Sequence, residues 1–149
     1  MQKISNRARN AVEELRRDTS NDQVDSLTAD VTRQRDLHHL ADQVKGRHGT
    51  RDVLINSAGV TMARREPTED GAETAFAANV LAPYILIHRL LPTLSRATPT
   101  RVINITGGVP RARIDLDDLQ GERSDVGLSL YNQTKLALMA MSYTLAERL

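Results

Sequence analysis

Short β-branched runs alternating with longer stretches at helical spacing predict an α/β chain with parallel strands. Two runs carry this most clearly, residues 52–55 and 101–105, each closed by small or polar residues as buried strands are. Around them apolar residues recur at steps of three and four, and neither an internal repeat nor a low-complexity linker interrupts the alternation.

Each element follows in order. Ile4, Ala8, Ala11, Val12 and Leu15 lie on one helical face, so the chain opens inside a helix over 4–17. After a polar turn at 18–23, Val24 and Leu27 suggest a short strand over 24–29. Thr32 is placed to cap a helix whose buried side is Leu37, Leu40, Ala41 and Val44, ending across Gly46 to Gly49. Residues 52–55 form the next strand, buried on both faces. A helix over 70–94 presents Phe76, Val80, Tyr84, Ile87 and Leu91 on one side and ends or bends at Pro92. The strand at 101–105 stops at Gly107-Gly108, residues 108–129 form a long loop, and a last helix over 130–149 runs through Leu138, Met141, Leu145 and Leu149.

At 149 residues the length fits one domain, 1–149. Twenty basic against 19 acidic residues leave a net charge of +1, too weak a field to recruit nucleic acid or an anionic membrane. Arg64-Arg65 and the arginines at 111 and 113 read as solvated surface. With no cysteine there is neither a disulfide framework nor a thiolate metal site, which suits a reducing cytoplasm. The apolar stretch 80–91 is broken by Pro83, His88 and Arg89 and falls short of the roughly 20 residues a membrane span needs. Residues 2–17 are charged throughout, unlike a secretory signal. A soluble, cytoplasmic, metal-free protein is expected.

Tyr131 and Lys135 stand four residues apart and project from one side of a helical turn. A free phenol titrates near 10, whereas an ammonium ~4 Å away at an effective dielectric of ~20 favours its anion by ~4 kcal/mol. Such a pair can handle a proton at neutral pH, although alone it would be an ordinary solvated pair. Asn56-Ser57-Ala58-Gly59 directly follows a strand, where small side chains let a ligand approach the backbone. By itself it would be a strand-ending turn. Asp30 follows the first strand, Asn79 lies mid-helix, and Asn104-Ile105-Thr106 closes the third strand.

In this order the residues resemble the short-chain dehydrogenase/reductase family, closest to its retinol-dehydrogenase-like and oxidoreductase branch. Asn56-Ser57-Ala58-Gly59 is similar to the family's Asn-Asn-Ala-Gly, and Tyr131-Asn132-Gln133-Thr134-Lys135 fits Tyr-x-x-x-Lys. Thr68-Glu69-Asp70-Gly71, Leu90-Leu91-Pro92, Asp118-Leu119-Gln120-Gly121-Glu122 and Leu145-Ala146-Glu147-Arg148-Leu149 resemble phrases recurring in that branch. The resemblance implies a Rossmann-like doubly wound parallel sheet and an NAD- or NADP-dependent oxidoreductase interconverting a small-molecule alcohol and a carbonyl. Tyr131 is then the general acid/base, Lys135 activates it and holds the nicotinamide ribose, and Asn79 helps keep a proton-relay water. Asp30 and Val31 contact the adenine, and Asn56, Ser57, Ala58 and Gly59 form the wall on the adenosine side. The helices over 70–94 and 130–149 imply a homo-oligomer, and a non-catalytic remnant that associates through them is the alternative reading.

Two departures qualify the resemblance. The family's catalytic serine has no counterpart, and two alignments put Thr106 or Gly107 in its place; only the threonine can donate a hydrogen bond. Losing such a donor costs ~10²–10³ in rate. The family's Gly-x-x-x-Gly-x-Gly turn also does not occur in the sequence. The expected sheet is therefore partial, lacking the first strand, helix and strand and the C-terminal strands, and the chain reads as an excerpt of a longer protein.

Overall fold

Val53–Asn56 (β1) and Arg101–Asn104 (β2) pair in parallel, with Val53 opposite Arg101 and Asn56 opposite Asn104. A parallel pair needs a long crossover, and the helical stretch between the strands supplies it. The computed structural model describes residues 2–47, 49, 52–94, 99–107, 113–123 and 127–147. Expectations resting on Gly108, Arg111 and Leu149, and on the side chain of Ile4, lie outside the described residues.

The chain divides into two units, residues 1–30 and 31–149. The first holds helix α1 (Gln2–Thr19), the expected opening helix. Its end is tied back by Arg16, whose guanidinium donates twice to the Val24 carbonyl at 3.0 and 2.7 Å. The strand expected over 24–29 does not form, and the segment is extended coil. Among the described residues no strand pairs with it, and a strand without a neighbour has no partner for its backbone groups.

The second unit begins with α2 (Gln34–Arg47). It starts two residues after Thr32, and its first N–H is capped by the Asp70 carboxylate at 2.8 Å. That bond comes from a distant loop, which local sequence could not show. Leu37 and Ala41 are buried as expected, while Leu40 and Val44 are half-buried.

The expected helix over 70–94 begins at residue 74, because Gly71 adopts φ +80° in a turn and the Glu73 carboxylate caps the Phe76 N–H at 2.7 Å. It then runs continuously as α3 (Thr74–Phe76), a π-helical turn (Ala77–Leu81) and α4 (Ala82–Leu94). The extra residue in the π-turn rotates everything beyond it, so the buried side is Ala75, Ala78, Ala82, Ile87, Leu90 and Leu94, and Tyr84 is exposed. Pro92 lies inside the last turn without ending it. Thr93 and Thr100 hydroxyls donate to the carbonyls of Leu90 and Leu94 there, at 2.7 and 2.6 Å. At 21 residues the continuous helix is longer than the stretch read from sequence, and by length and composition it could cross a membrane. It carries the buried polar residues Asn79 and Thr93, and its Leu90 and Leu94 pack with Ala41 in the core.

That core lies on one face of the strand pair. Leu54 and Val102 pack there against Ala41, Leu90 and Leu94, flanked by Val44 and Leu86. The opposite face carries Val53, Ile55, Ile103 and Ile105, all exposed. Burial on both faces, expected for the first strand, therefore holds for one face only. The last helix, α5 (Gly127–Ala146), starts three residues earlier than expected and buries Leu130, Thr134, Lys135 and Leu138. Gly127 allows this start, because a Cβ there would stand 2.0 Å from the Met62 carbonyl oxygen.

Candidate active site

The two strands end side by side on a pair of asparagines. Asn56 is buried and donates through Nδ2 to Asn104 Oδ1 at 2.8 Å, and Asn104 donates to Ser142 Oγ on α5 at 2.9 Å. The Ile105 N–H donates to the Asn56 carbonyl at 2.9 Å, extending the ladder by one bond. Beyond Asn56 the chain opens into an exposed turn of Ser57, Ala58 and Gly59.

Asn79 sits in the middle of the π-turn, fully buried, and its amide makes three hydrogen bonds. Oδ1 accepts the Val60 N–H at 2.8 Å, while Nδ2 donates to the Val60 carbonyl and to Thr134 Oγ1, each at 2.9 Å. It thus imitates a neighbouring strand for Val60 and holds the turn after β1 against α5. The widened π-turn re-aims a side chain that regular helix geometry would point elsewhere.

Tyr131 and Lys135 share one side of α5. The Lys135 amine stands over the Tyr131 ring, 5.8 Å from its centroid, within cation–π range. It donates to the Ile105 carbonyl at 3.0 Å and is only 4% exposed. Burial holds its pKa below that of an ordinary lysine, since an ammonium loses hydration there. No carboxylate pairs with it among the described residues. Gly59 leaves room beside it, since a Cβ at that position would lie tightly, 3.0 Å from Nζ and 3.2 Å from Asn79 Oδ1. The arrangement is a half-buried phenol, a buried amine and an open small-residue turn converging at the strand ends, where ligands of open α/β sheets bind.

Tyr131, Lys135, Asn79 and the turn ending at Gly59 are therefore brought together. Thr106 is half-buried and directly follows Ile105, the acceptor of Lys135. Val31 opens the second unit and is half-buried, whereas Asp30 is exposed and closes the first. Thr134 and Ser142 are given no role by the sequence, and Asn104 enters there only as part of the stretch that closes the third strand. The signal for Thr134 was its spacing, three residues after Tyr131 and so on the same helical side. Gln133 was also missed; it accepts the Asp115 N–H at 2.8 Å and donates to the Asp118 carbonyl at 3.0 Å, fastening the loop before α5.

The family model for short chain dehydrogenases matches residues 1–149. Mouse retinol dehydrogenase 12 is 33% identical over 140 residues, which cover 93% of this chain and 44% of that protein. Human polyprenol dehydrogenase is 31% identical over 148 residues, 96% of this chain and 45% of its own length. A short-chain dehydrogenase from Streptomyces avermitilis superposes with a TM-score of 0.66 at 29% identity, covering 93% of this chain and 47% of that one. A blue fluorescent protein from a metagenomic library, solved with NADPH, gives 0.70 at 26% identity, covering 97% and 53%. The chain spans about half the length of the relatives it matches. With the parallel strand–helix–strand unit, these similarities make the fold a partial Rossmann-like sheet. The chain belongs to the short-chain dehydrogenase family.

Proposed function

We propose that this chain carries the proton-transfer centre of an NAD- or NADP-dependent oxidoreductase that interconverts an alcohol and a carbonyl. The observation that carries the reading is the station of Lys135, between the ring of Tyr131 and the open turn at Gly59. The residues fit a nicotinamide nucleotide: Gly59 leaves its Cβ space empty beside a buried cationic donor, and the adjoining Ser57 and Ala58 are small and exposed. A bound nicotinamide supplies or accepts the hydride. Tyr131 gives a proton to the carbonyl oxygen in reduction and takes it back in oxidation. Lys135 places positive charge against the phenol and offers its remaining donors to ribose hydroxyls. Asn79 fixes the turn that bears Gly59, with the relay water as its further role. Asn56, Ser57 and Ala58 line the adenosine side, with Val31 towards the adenine. Thr106 takes the place of the missing serine as donor to the reacting oxygen. Two features support it: Thr106 adjoins the acceptor of Lys135, and Gly107 has φ +82°, a backbone state that suits glycine better than serine.

Titrating NADH and NADPH into the folded protein tests this reading. One nucleotide is expected to raise Tm and change its own fluorescence, since a ligand that binds only the folded state stabilises it. Tyr131→Phe is expected to keep that binding and to lower turnover by ~10²-fold or more. No response to either nucleotide would overturn the reading. Self-association through the helices over 70–94 and 130–149 is supported by exposed Tyr84 and Tyr143, and sedimentation equilibrium with Tyr143→Glu would detect it as a shift to monomer.

A further inference from the structure

Thr134 is fully buried and stands in sequence between the two residues assigned to proton transfer, yet its hydroxyl bonds to neither side chain. It donates instead to the Tyr131 carbonyl at 2.7 Å and accepts from Asn79 Nδ2 at 2.9 Å. Asn79 in turn holds both backbone groups of Val60, the residue after Gly59, and Gly59 lies so close to the Lys135 amine that a Cβ on it would stand 3.0 Å from Nζ. A continuous chain of hydrogen bonds thus runs from the Tyr131 turn of α5, through Thr134 and Asn79, to the wall against which Nζ rests. Each member is bonded on both sides: Asn79 makes three bonds and the Thr134 hydroxyl both gives and receives.

We propose that Thr134 is a positioning residue: through Asn79 it fixes the gap between α5 and the Gly59–Val60 turn, and so sets the surroundings of the Lys135 amine. The proposal rests on the reading that Tyr131 and Lys135 form the proton-transfer pair. Without the hydroxyl, Asn79 Nδ2 loses one of its two acceptors, the carboxamide can turn, and Val60 is no longer held in register. Water then reaches Nζ. Because burial is what keeps this amine from its full basicity, wetting it moves its pKa back up towards that of an ordinary lysine.

The test is the pH profile of Lys135 acylation by acetic anhydride, read peptide by peptide in a mass spectrometer with Lys45 as internal reference. In Thr134→Ala the midpoint is expected to move upward, towards an ordinary amine, and the plateau rate is expected to rise as the site opens. Thr134→Ser, which keeps the hydroxyl, is expected to restore the wild-type profile. A lowered Tm with an unmoved midpoint would reduce Thr134 to a packing residue and overturn the proposal. So would a serine variant that behaves like alanine. Should Thr134→Ala fail to fold, the wild type itself decides: the Asn79 carboxamide protons should exchange with solvent far more slowly than those of an exposed asparagine, and fast exchange overturns the chain of bonds. Nucleotide titration of the wild type separates this inference from the functional reading. A moved midpoint without nucleotide binding would sink only the latter, and binding with an unmoved midpoint only the former.

Discussion

The two faces of the β1–β2 pair share strands, composition and register, yet they differ in what lies against them. On one, Leu54 and Val102 meet Ala41, Leu90 and Leu94, and the asparagines at the strand ends are tied to α5. On the other, Val53, Ile55, Ile103 and Ile105 stay between 40% and 58% exposed. Every contact that places Lys135 belongs to the covered side or to the strand ends. Chemistry in this unit therefore depends on helices packed against one face, while the other is apolar surface in a fold class that ordinarily covers both.

The sharpest way to break the comparison is to empty the covered side. Leu94→Ala removes a side chain that is 1% exposed at the centre of the aliphatic cluster, and it is expected to cost about 3 kcal/mol of unfolding free energy in urea titrations. Ile103→Ala, on the bare face, is expected to cost less than about 1 kcal/mol, because its surface is half in water in either state. Equal losses would mean that the bare face is covered in solution.

A smaller effect is expected from the polar part of the covered side. Asn79→Ala leaves the Val60 N–H and carbonyl without their side-chain partner inside the fold, which is expected to cost about 2 kcal/mol. Because those bonds hold the turn beside Lys135, nucleotide affinity should fall together with Tm. A stability loss with unchanged nucleotide affinity would separate Asn79 from the site.

The parallel strand pair, the helices and the tyrosine–lysine turn were legible because each has a local signature: branched runs, three-to-four periodicity, and a tyrosine and lysine one turn apart. What escaped depends on partners distant in sequence. The cap of α2 comes from Asp70, 36 positions away, and the asparagine bridge spans 48. The π-turn is one inserted residue in an otherwise helical pattern, so the face read from Phe76 to Leu91 drifted out of phase and put Tyr84 inside. The segment at 24–29 was read from composition alone, and composition cannot reveal whether a neighbouring strand exists.

Lys135 sharpens the contrast between function and stability. Burial lowers its pKa, so between that lowered value and the ordinary lysine value of 10.5 the folded state binds fewer protons than the unfolded one. Stability should rise with pH across that window, and the penalty of the buried charge is fully present below it. Lys135→Met is therefore expected to raise Tm by a few degrees at pH 7 and to lose that advantage as pH climbs past 10, while nucleotide-dependent turnover disappears. A variant that is less stable at neutral pH would mean that the bond to the Ile105 carbonyl outweighs desolvation.

The smallest change in folding, and the most direct probe of the bare face, is Ile55→Glu. Its side chain is 58% exposed and points away from the helices, since the alternate residues Leu54 and Asn56 face them. Unfolding free energy should stay within about 0.5 kcal/mol of wild type. Solution behaviour should change more, because a carboxylate amid Val53, Ile103 and Ile105 breaks an exposed apolar patch of the kind that favours non-specific association. Light scattering across a concentration series should therefore show weaker self-association than wild type. Unchanged scattering would mean that association, where it occurs, runs through the outer sides of α4 and α5, with Tyr84 and Tyr143 rather than the strands as its contact.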